Sequence, residues 1–219
     1  MNGPLRILVT GFGPFPGAPY NPTIALVKRL TGLRRPALHD IELIGHIFHV
    51  TYATVDRELP ALIARHRPHA ILSFGLAGRS MHVRIETRAR NAVTTRFPDA
   101  GHTVARKESI AGGADAAMFG SHTAKLLRAA RASGIDARPS RDAGSYLCNY
   151  VSWRAIEATG KPGGPLLAAF VHVPLLARGT HLQRKGTRPH TTLEELVDAG
   201  EAMLMEMVRQ ARQAVRSPR

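Results

Sequence analysis

The sequence has few of the features that staple a chain or anchor it in a membrane. It contains a single cysteine, Cys148, in 219 residues, so an intrachain disulfide framework is excluded. No apolar run is long enough to cross a bilayer, and we therefore expect no membrane partner. Residues 1–4 lead directly into an apolar segment without a signal region, which predicts a cytoplasmic protein.

Acidic and aromatic residues are also scarce. The chain carries 16 acidic residues against 30 basic ones, which gives a formal net charge of +14, and only 5% of its residues are aromatic. Nucleic-acid modules usually combine a basic stripe with aromatic stacking platforms. Here the basic residues are scattered as singles and pairs, so we interpret the charge as a solvated shell and expect no nucleic-acid partner.

The sequence also lacks the patterns that bind nucleotides or metals. The glycines at positions 11, 13 and 17 are one residue too widely spaced for a dinucleotide fingerprint, and Pro14 and Pro16 lack the N–H groups that cradle a phosphate. The histidines at positions 39, 46 and 49 have no carboxylate or cysteine companions at ligand spacing. We therefore expect neither a cofactor nor a metal.

What the chain does have is a regular alternation of apolar runs and amphipathic stretches. Strands are predicted at residues 5–10, 40–50, 69–74, 81–91, 135–138 and 166–173. Helices are predicted at residues 22–30, 54–66, 114–133 with an interruption near Gly120, 147 onward, and 191–215. This order predicts one domain over residues 1–219, with its core at about 5–216. The expected fold class is α/β, a three-layer α/β/α domain whose sheet is mostly parallel with one antiparallel excursion around residues 81–107.

The single cysteine lies where a small-residue loop turns into a helix. Residues 139–145 are turn-forming, and the helical spacing of apolar residues begins at Leu147, so Cys148 falls in a first helical turn. There the unpaired backbone N–H groups and the helix dipole stabilise a thiolate and a neighbouring oxyanion. The alternative is that Cys148 is a small buried hydrophobic residue.

Three blocks stand out at the ends of predicted strands. Residues 10–15 read Thr-Gly-Phe-Gly-Pro-Phe and are followed by Asn-Pro-Thr at 21–23, residues 143–150 read Ala-Gly-Ser-Tyr-Leu-Cys-Asn-Tyr, and residues 170–174 read Phe-Val-His-Val-Pro. In this order the blocks resemble those of the pyroglutamyl peptidase I family of cysteine exopeptidases. The resemblance extends over about residues 5–207 and is weak between the strand ends.

The resemblance implies a function and a set of catalytic residues. Cys148 would be the nucleophile, His172 its general base, and Glu86 the group that orients the imidazole. The implied substrates are peptides with an N-terminal pyroglutamate, cleaved through a thioester acyl-enzyme without a cofactor. A homo-oligomer, either a dimer or a tetramer, is implied as well.

The implied substrate pocket takes its residues from several blocks. Residues 96–99 read Arg-Phe-Pro-Asp, similar to the family's Arg-Ile-Pro-Asp. The candidate lining residues are Phe12, Phe15, Asn21, Arg96, Phe97 and Tyr146. The rings of Phe12 and Phe15 would clasp the flat lactam while the Asn21 amide reads its polar edge.

The strand that carries Glu86 departs from the family pattern. The family has Glu-Arg-[Val/Ile]-Ala-x-Asn, and residues 86–91 keep only the glutamate, the alanine and the asparagine. Strict alternation also places Glu86 between Arg84 and Arg88, so a carboxylate in an exposed charge ladder is an alternative.

Residues 174–190 depart as well, because they carry basic residues where the family has acidic ones and a tyrosine. His172 lies within an apolar strand, so an alternative is that it is a core residue whose ring is hydrogen-bonded and has no catalytic role. A catalytically decayed binding protein with the same fold is therefore the alternative function.

Overall fold

Apart from one run of four successive strands, strands and helices alternate along the computed structural model, which describes residues 3–15, 17–176 and 191–217. The strands are β1 (Leu5–Phe12), β2 (Ile41–Phe48), β3 (Ala70–Leu76), β4 (Val83–Glu86), β5 (Arg88–Arg90), β6 (Ala116–Met118), β7 (Ala137–Ser140) and β8 (Leu167–Val173). The helices are α1 (Pro22–Thr31), α2 (Tyr52–His66), α3 (His122–Ala132), α4 (Leu147–Thr159) and α5 (Leu193–Arg216). In this part of the chain no helix is both long and apolar enough to span a membrane.

Six of the strands form one mixed sheet in the order β2-β1-β3-β8-β4-β7. The first four run parallel, β4 pairs antiparallel with β8, and β7 pairs parallel with β4. The α/β fold class with a mostly parallel, partly mixed sheet is thereby confirmed. The reversed direction of β7 was not anticipated from the sequence.

Alternation along each strand sends side chains to two separate cores. Ile7 of β1 and Val171 of β8 pack in the core beneath α1, α3 and α5, whereas Leu8 and Phe170 pack in the core beneath α2 and α4. Because His172 is two residues after Phe170, it faces the α2 and α4 layer. The same parity argument places Glu86 there, since its neighbour Ile85 belongs to the opposite core.

Side-chain caps explain where three of the helices begin. The Asn21 side chain accepts from Thr23 N–H before α1, and Thr51 accepts from Thr54 N–H before α2. Thr192 and Glu195 form a reciprocal capping box at the start of α5. Each cap satisfies backbone donors that have no partner inside the helix.

The helix predicted over residues 114–133 is wrong in its first half. Residues 116–118 form β6, which pairs antiparallel with β5, and α3 begins only at His122. The short apolar run suits either structure, and pairing with β5 decides the outcome.

The single strand predicted at 81–91 is likewise two strands. They separate at Thr87, whose N–H and hydroxyl both donate to the Ser140 carbonyl, and each joins a different sheet.

Two of the three histidines that raised the question of a metal have separate partners. His46 Nε2 lies 2.9 Å from Glu58 Oε2, and His39 Nδ1 lies 2.8 Å from the Pro36 carbonyl oxygen. Among the described residues, no group of three or more histidine, cysteine, aspartate or glutamate side chains could hold a metal ion.

Candidate active site

Cys148 is the second residue of α4, so the predicted position in a first helical turn is confirmed. The chain reaches it through Gly144, whose φ of +84° lies in the left-handed region that favours glycine. Unlike α1, α2 and α5, helix α4 begins at a residue, Tyr146, that gives no side-chain cap among the described residues. The N–H groups of the first turn are therefore left to an incoming anion.

Two adjacent strands present a buried histidine and a buried carboxylate to the same layer. His172 Nδ1, near the end of β8, lies 2.8 Å from Glu86 Oε1, at the end of β4. The side chains are 6% and 0% exposed. Because a carboxylate can only accept, Nδ1 carries the proton, which leaves the other ring nitrogen for the interaction with Cys148.

The charge state of His172 follows from these neighbours. Burial favours the neutral ring and lowers the pKa of His172, but the Cys148 thiolate and the Glu86 carboxylate outweigh burial and raise that pKa to about 9. This raised pKa favours the imidazolium form over the neutral ring. It can hold a thiolate beside it and later give up a proton.

Glu86 is fully buried, so its interpretation as part of an exposed charge ladder is wrong. Arg84 Nη2 lies 3.2 Å from the same Oε1 that accepts from His172, and within the described chain no group hydrogen-bonds to Oε2. Arg84 is itself held by the Ser140 hydroxyl and the Asp142 carbonyl. The loop that leads to Cys148 and helix α4 cover the strand face on which Glu86 lies. Strand alternation alone could not reveal this cover.

Gly75 is a site residue that the sequence analysis missed. It is the register partner of His172 in the β3–β8 pair. A Cβ there would lie 2.6 Å from the Phe170 ring and 2.8 Å from Cys148 Sγ, closer than real Cβ contacts come. Only a glycine lets α4 bring the sulfur against this strand. The signal available was the glycine at the end of an apolar strand.

A cavity of about 170 Å³ opens beside Cys148 and His172. Four predicted pocket residues, Phe12, Phe15, Asn21 and Tyr146, line it. The remaining wall is formed by Val50, Leu76, Ala143 and Leu147. The cavity is mostly apolar and aromatic, with few polar groups, which is typical of a site for a small flat acyl group.

The Asn21 amide is largely occupied by its own loop. Its Oδ1 accepts from Thr23 N–H at 3.1 Å and lies 2.9 Å from the Thr23 hydroxyl, while Nδ2 donates to the Gly13 carbonyl at 3.1 Å. An amide nitrogen has two hydrogens, so one N–H is left for a ligand. Asn21 thus both shapes the loop and can offer one donor.

The structure does not bring Arg96 and Phe97 to the cavity wall. Both are exposed, Phe97 by 66%. The other two residues of the block at 96–99 support the cavity indirectly. The Pro98 carbonyl accepts from the Tyr146 hydroxyl at 3.0 Å and thereby fixes a ring that does line the cavity. Buried Asp99 accepts from three backbone N–H groups and shapes this turn.

Asn149, next to the nucleophile, joins the two halves of the site. Its Oδ1 accepts from Arg90 N–H at 2.8 Å, and its Nδ2 donates to the carbonyls of Arg90 and Ala92 at 2.8 and 2.9 Å. It therefore ties the start of α4 to the strand that follows Glu86. The sequence showed only that an asparagine follows the cysteine.

The geometry can be set against known proteins. The family model described as pyroglutamyl peptidase matches residues 5–210 of this chain. The chain belongs to this family. The resemblance seen in the sequence is thereby confirmed.

Individual members of the pyroglutamyl peptidase family are similar over most of their length. The pyrrolidone-carboxylate peptidase of Pyrococcus furiosus is 32% identical over 173 residues, which cover 78% of this chain and 82% of that protein. The Thermococcus onnurineus protein of the same name is 31% identical over 91% of this chain and 97% of its own. The solved structure of pyrrolidone carboxyl peptidase from Thermococcus litoralis superposes with a TM-score of 0.84 at 26% identity, covering 95% and 96% of the two chains.

The family residues retained in 86–91 each have a structural reason. Glu86 contacts His172, and Ala89 is completely buried. Asn91 accepts from the N–H groups of Ile110 and Ala111 and donates to the Ala111 and Ala114 carbonyls, which organises the following loop. Arg88, which stands where the family has valine or isoleucine, is half-buried and donates from Nε to the Arg141 carbonyl at 2.8 Å.

We predict that Gly75→Ala disturbs Cys148 directly. The added Cβ would overlap the sulfur and the Phe170 ring, so one of them must move, at a cost of about 1–3 kcal/mol. Alkylation of the thiol by iodoacetamide should change rate, and the melting temperature should fall. Gly160→Ala at the other end of α4, where a Cβ meets only a carbonyl oxygen 3.7 Å away, is the matched control. Wild-type alkylation and melting in Gly75→Ala would contradict the close contact.

Glu86→Gln should make alkylation of Cys148 more dependent on alkaline pH. Without the carboxylate the pKa of His172 falls, so the imidazolium–thiolate pair is less populated at mildly acidic pH. Alkylation at that pH should slow by about tenfold for each unit by which the pKa of His172 falls. At alkaline pH the thiolate forms regardless.

The matched control for this experiment is Glu58→Gln, which breaks the half-buried pair between Glu58 and His46, neither of which lines the cavity beside Cys148. It should leave the alkylation profile unchanged. A wild-type profile in Glu86→Gln would remove Glu86 from the site.

Proposed function

We propose that this chain is a cysteine exopeptidase that hydrolyses the amide bond after an N-terminal pyroglutamyl residue. The observation that carries the proposal is the position of Cys148. It lies at a helix start without a side-chain cap, against a buried His172–Glu86 pair, and at the wall of a small aromatic cavity. Membership of the pyroglutamyl peptidase family supports the same activity.

In the acylation step the Cys148 thiolate attacks the pyroglutamyl carbonyl carbon. The developing oxyanion is stabilised by backbone N–H groups of the first turn of α4, which lie at the positive end of the helix dipole. His172 then gives its proton to the departing amine, and the C–N bond breaks. The products are a free amino group on the shortened peptide and a pyroglutamyl thioester on Cys148.

Deacylation uses the same residues in reverse. Neutral His172 takes a proton from water, and the resulting hydroxide attacks the thioester carbonyl. The thiolate leaves, pyroglutamate is released, and the imidazolium–thiolate pair is restored. Throughout the cycle Glu86 holds Nδ1 and stabilises the charge that His172 acquires.

The cavity supports selection of the lactam ring. Phe12, Phe15 and Tyr146 offer aromatic surfaces to a flat five-membered ring, and the free N–H of Asn21 can donate to its carbonyl. The cavity is small, about 170 Å³, which supports recognition of a single terminal residue and therefore exopeptidase action. Arg96 and Phe97 are both exposed and do not line this cavity.

The alternative of a catalytically decayed binding protein rested on two divergent segments, residues 86–91 and 174–190. The Glu86 carboxylate is buried on His172, which removes the first ground for it. Most of the second segment, residues 177–190, lies outside the described residues. The homo-oligomer implied by the family resemblance stays part of the proposal, as a dimer or a tetramer. The cytoplasmic location stays a prediction.

Replacing the only thiol tests the proposal. Cys148→Ala and Cys148→Ser should abolish release of chromophore from a pyroglutamyl-linked chromogenic amide, because no other residue can form the thioester. The wild type should turn this amide over and lose activity on alkylation of one thiol per chain. Thermal melting controls for folding. Substantial turnover by either variant would rule out the cysteine mechanism.

A further inference from the structure

An open basin of about 770 Å³ lies beside the small cavity and has no role in the mechanism so far. The two spaces share His172 and Ala143. The basin is bordered by the segment between β3 and β4 on one side and by residues 139–144 on the other. It therefore meets the catalytic centre at the group that protonates the leaving amine.

The direction of the substrate follows from this connection. With the pyroglutamyl ring in the small cavity, the scissile nitrogen must reach His172 to receive its proton. The peptide that continues from this nitrogen cannot re-enter the occupied cavity. The shared wall at His172 leads it into the basin.

Some charged side chains in the basin are already engaged by other protein groups and are not available to bind a substrate. Arg84 is committed to Glu86, Ser140 and the Asp142 carbonyl. The Asp142 carboxylate pairs with Arg90 at 3.2 Å and accepts from Gly144 N–H. Among the described residues that line the basin, Asp142 is the one carboxylate, and it is thus engaged by Arg90 of β5 and by its own loop.

Two guanidinium groups remain uncommitted. Arg79 and Arg141 both line the basin, each from a different one of the two chain segments that border it, and both are exposed. Within residues 3–15, 17–176 and 191–217, neither side chain has a hydrogen-bond or ion-pair partner. A guanidinium presents a planar set of donors that fits a carboxylate.

We infer that this basin binds the leaving peptide and that Arg79 and Arg141 make the site selective for pyroglutamyl peptides with an acidic residue soon after the pyroglutamyl group. The inference rests on the proposed function and adds a substrate class to it. Arg79 and Arg141 act here as specificity residues, since they reach the leaving peptide and not the reacting atoms.

The test compares three matched peptide amides, pyroglutamyl-Glu-Ala, pyroglutamyl-Gln-Ala and pyroglutamyl-Lys-Ala, whose only difference is the side chain after pyroglutamate. At low salt the glutamate peptide should have a kcat/KM about fivefold above that of its glutamine isostere, as expected for an exposed ion pair, and the lysine peptide should be the slowest. Raising the ionic strength to about 1 M should remove the difference, because screening then acts within about 3 Å.

The double variant Arg79→Gln/Arg141→Gln should lose the preference, because its kcat/KM for the glutamate peptide should fall about fivefold, to the level of the glutamine peptide. Arg65→Gln, an exposed arginine on α2 without a partner in the described chain, is the matched control and should keep the preference. Melting curves should be unchanged, since surface substitutions of this kind cost little.

Two results overturn the inference and can be told apart from failure of the proposed function. Equal kcat/KM for the three peptides, or a preference that survives in the double variant, would show that Arg79 and Arg141 do not select an acidic side chain. The peptidase activity itself would still be supported. Absence of hydrolysis of every pyroglutamyl substrate by the wild type would instead overturn the proposed function, and the inference with it.

Discussion

The hydrogen bond between buried Glu86 and buried His172 constrains much of the rest of the structure. A carboxylate removed from water is costly unless a charged or hydrogen-bonding partner meets it. The antiparallel entry of β4 beside β8, with Arg84 opposite His172, puts that partner in place. Arg84 adds a second positive charge and is itself tied to the loop that leads to Cys148. The strand that reverses the sheet is thus the strand that supplies the orienting carboxylate.

The position of Cys148 depends on this arrangement from the other side. Helix α4 covers the face of the sheet on which Glu86 and His172 lie, and Asn149 fastens its first turn to Arg90. Gly75 removes the side chain that would otherwise keep the sulfur away from β3. Because Tyr146 adds no side-chain cap among the described residues, the donors of the first turn stay open beside the nucleophile. A strand end, a helix start and a missing Cβ together produce one reactive thiol.

The sequence was sufficient for the order of elements, the fold class and the helical position of Cys148, because these follow from local periodicity and turn chemistry. It was insufficient wherever a partner distant in sequence decides the outcome. Alternation correctly set Glu86 on the same face as Arg84, but only the packing of α4 and the cysteine loop shows that the face is covered. Residues 116–118 became a strand because β5 was available to pair with them. Phe97 occupies the second position of a block that resembles the family's Arg-Ile-Pro-Asp. The turn built around Asp99 nevertheless leaves the Phe97 ring exposed to solvent.

The central claim is that Glu86 and Cys148 together keep His172 charged at neutral pH. A direct measurement is the NMR titration of the His172 ring in protein with isotope-labelled histidine, assigned by comparison with a His172→Gln variant. The account predicts that the ring stays an imidazolium until the pH approaches about 9, with a strongly deshielded Nδ1 proton that reports the bond to Glu86. A ring that is neutral at pH 7, and titrates near the ordinary histidine value of about 6.5, would contradict it.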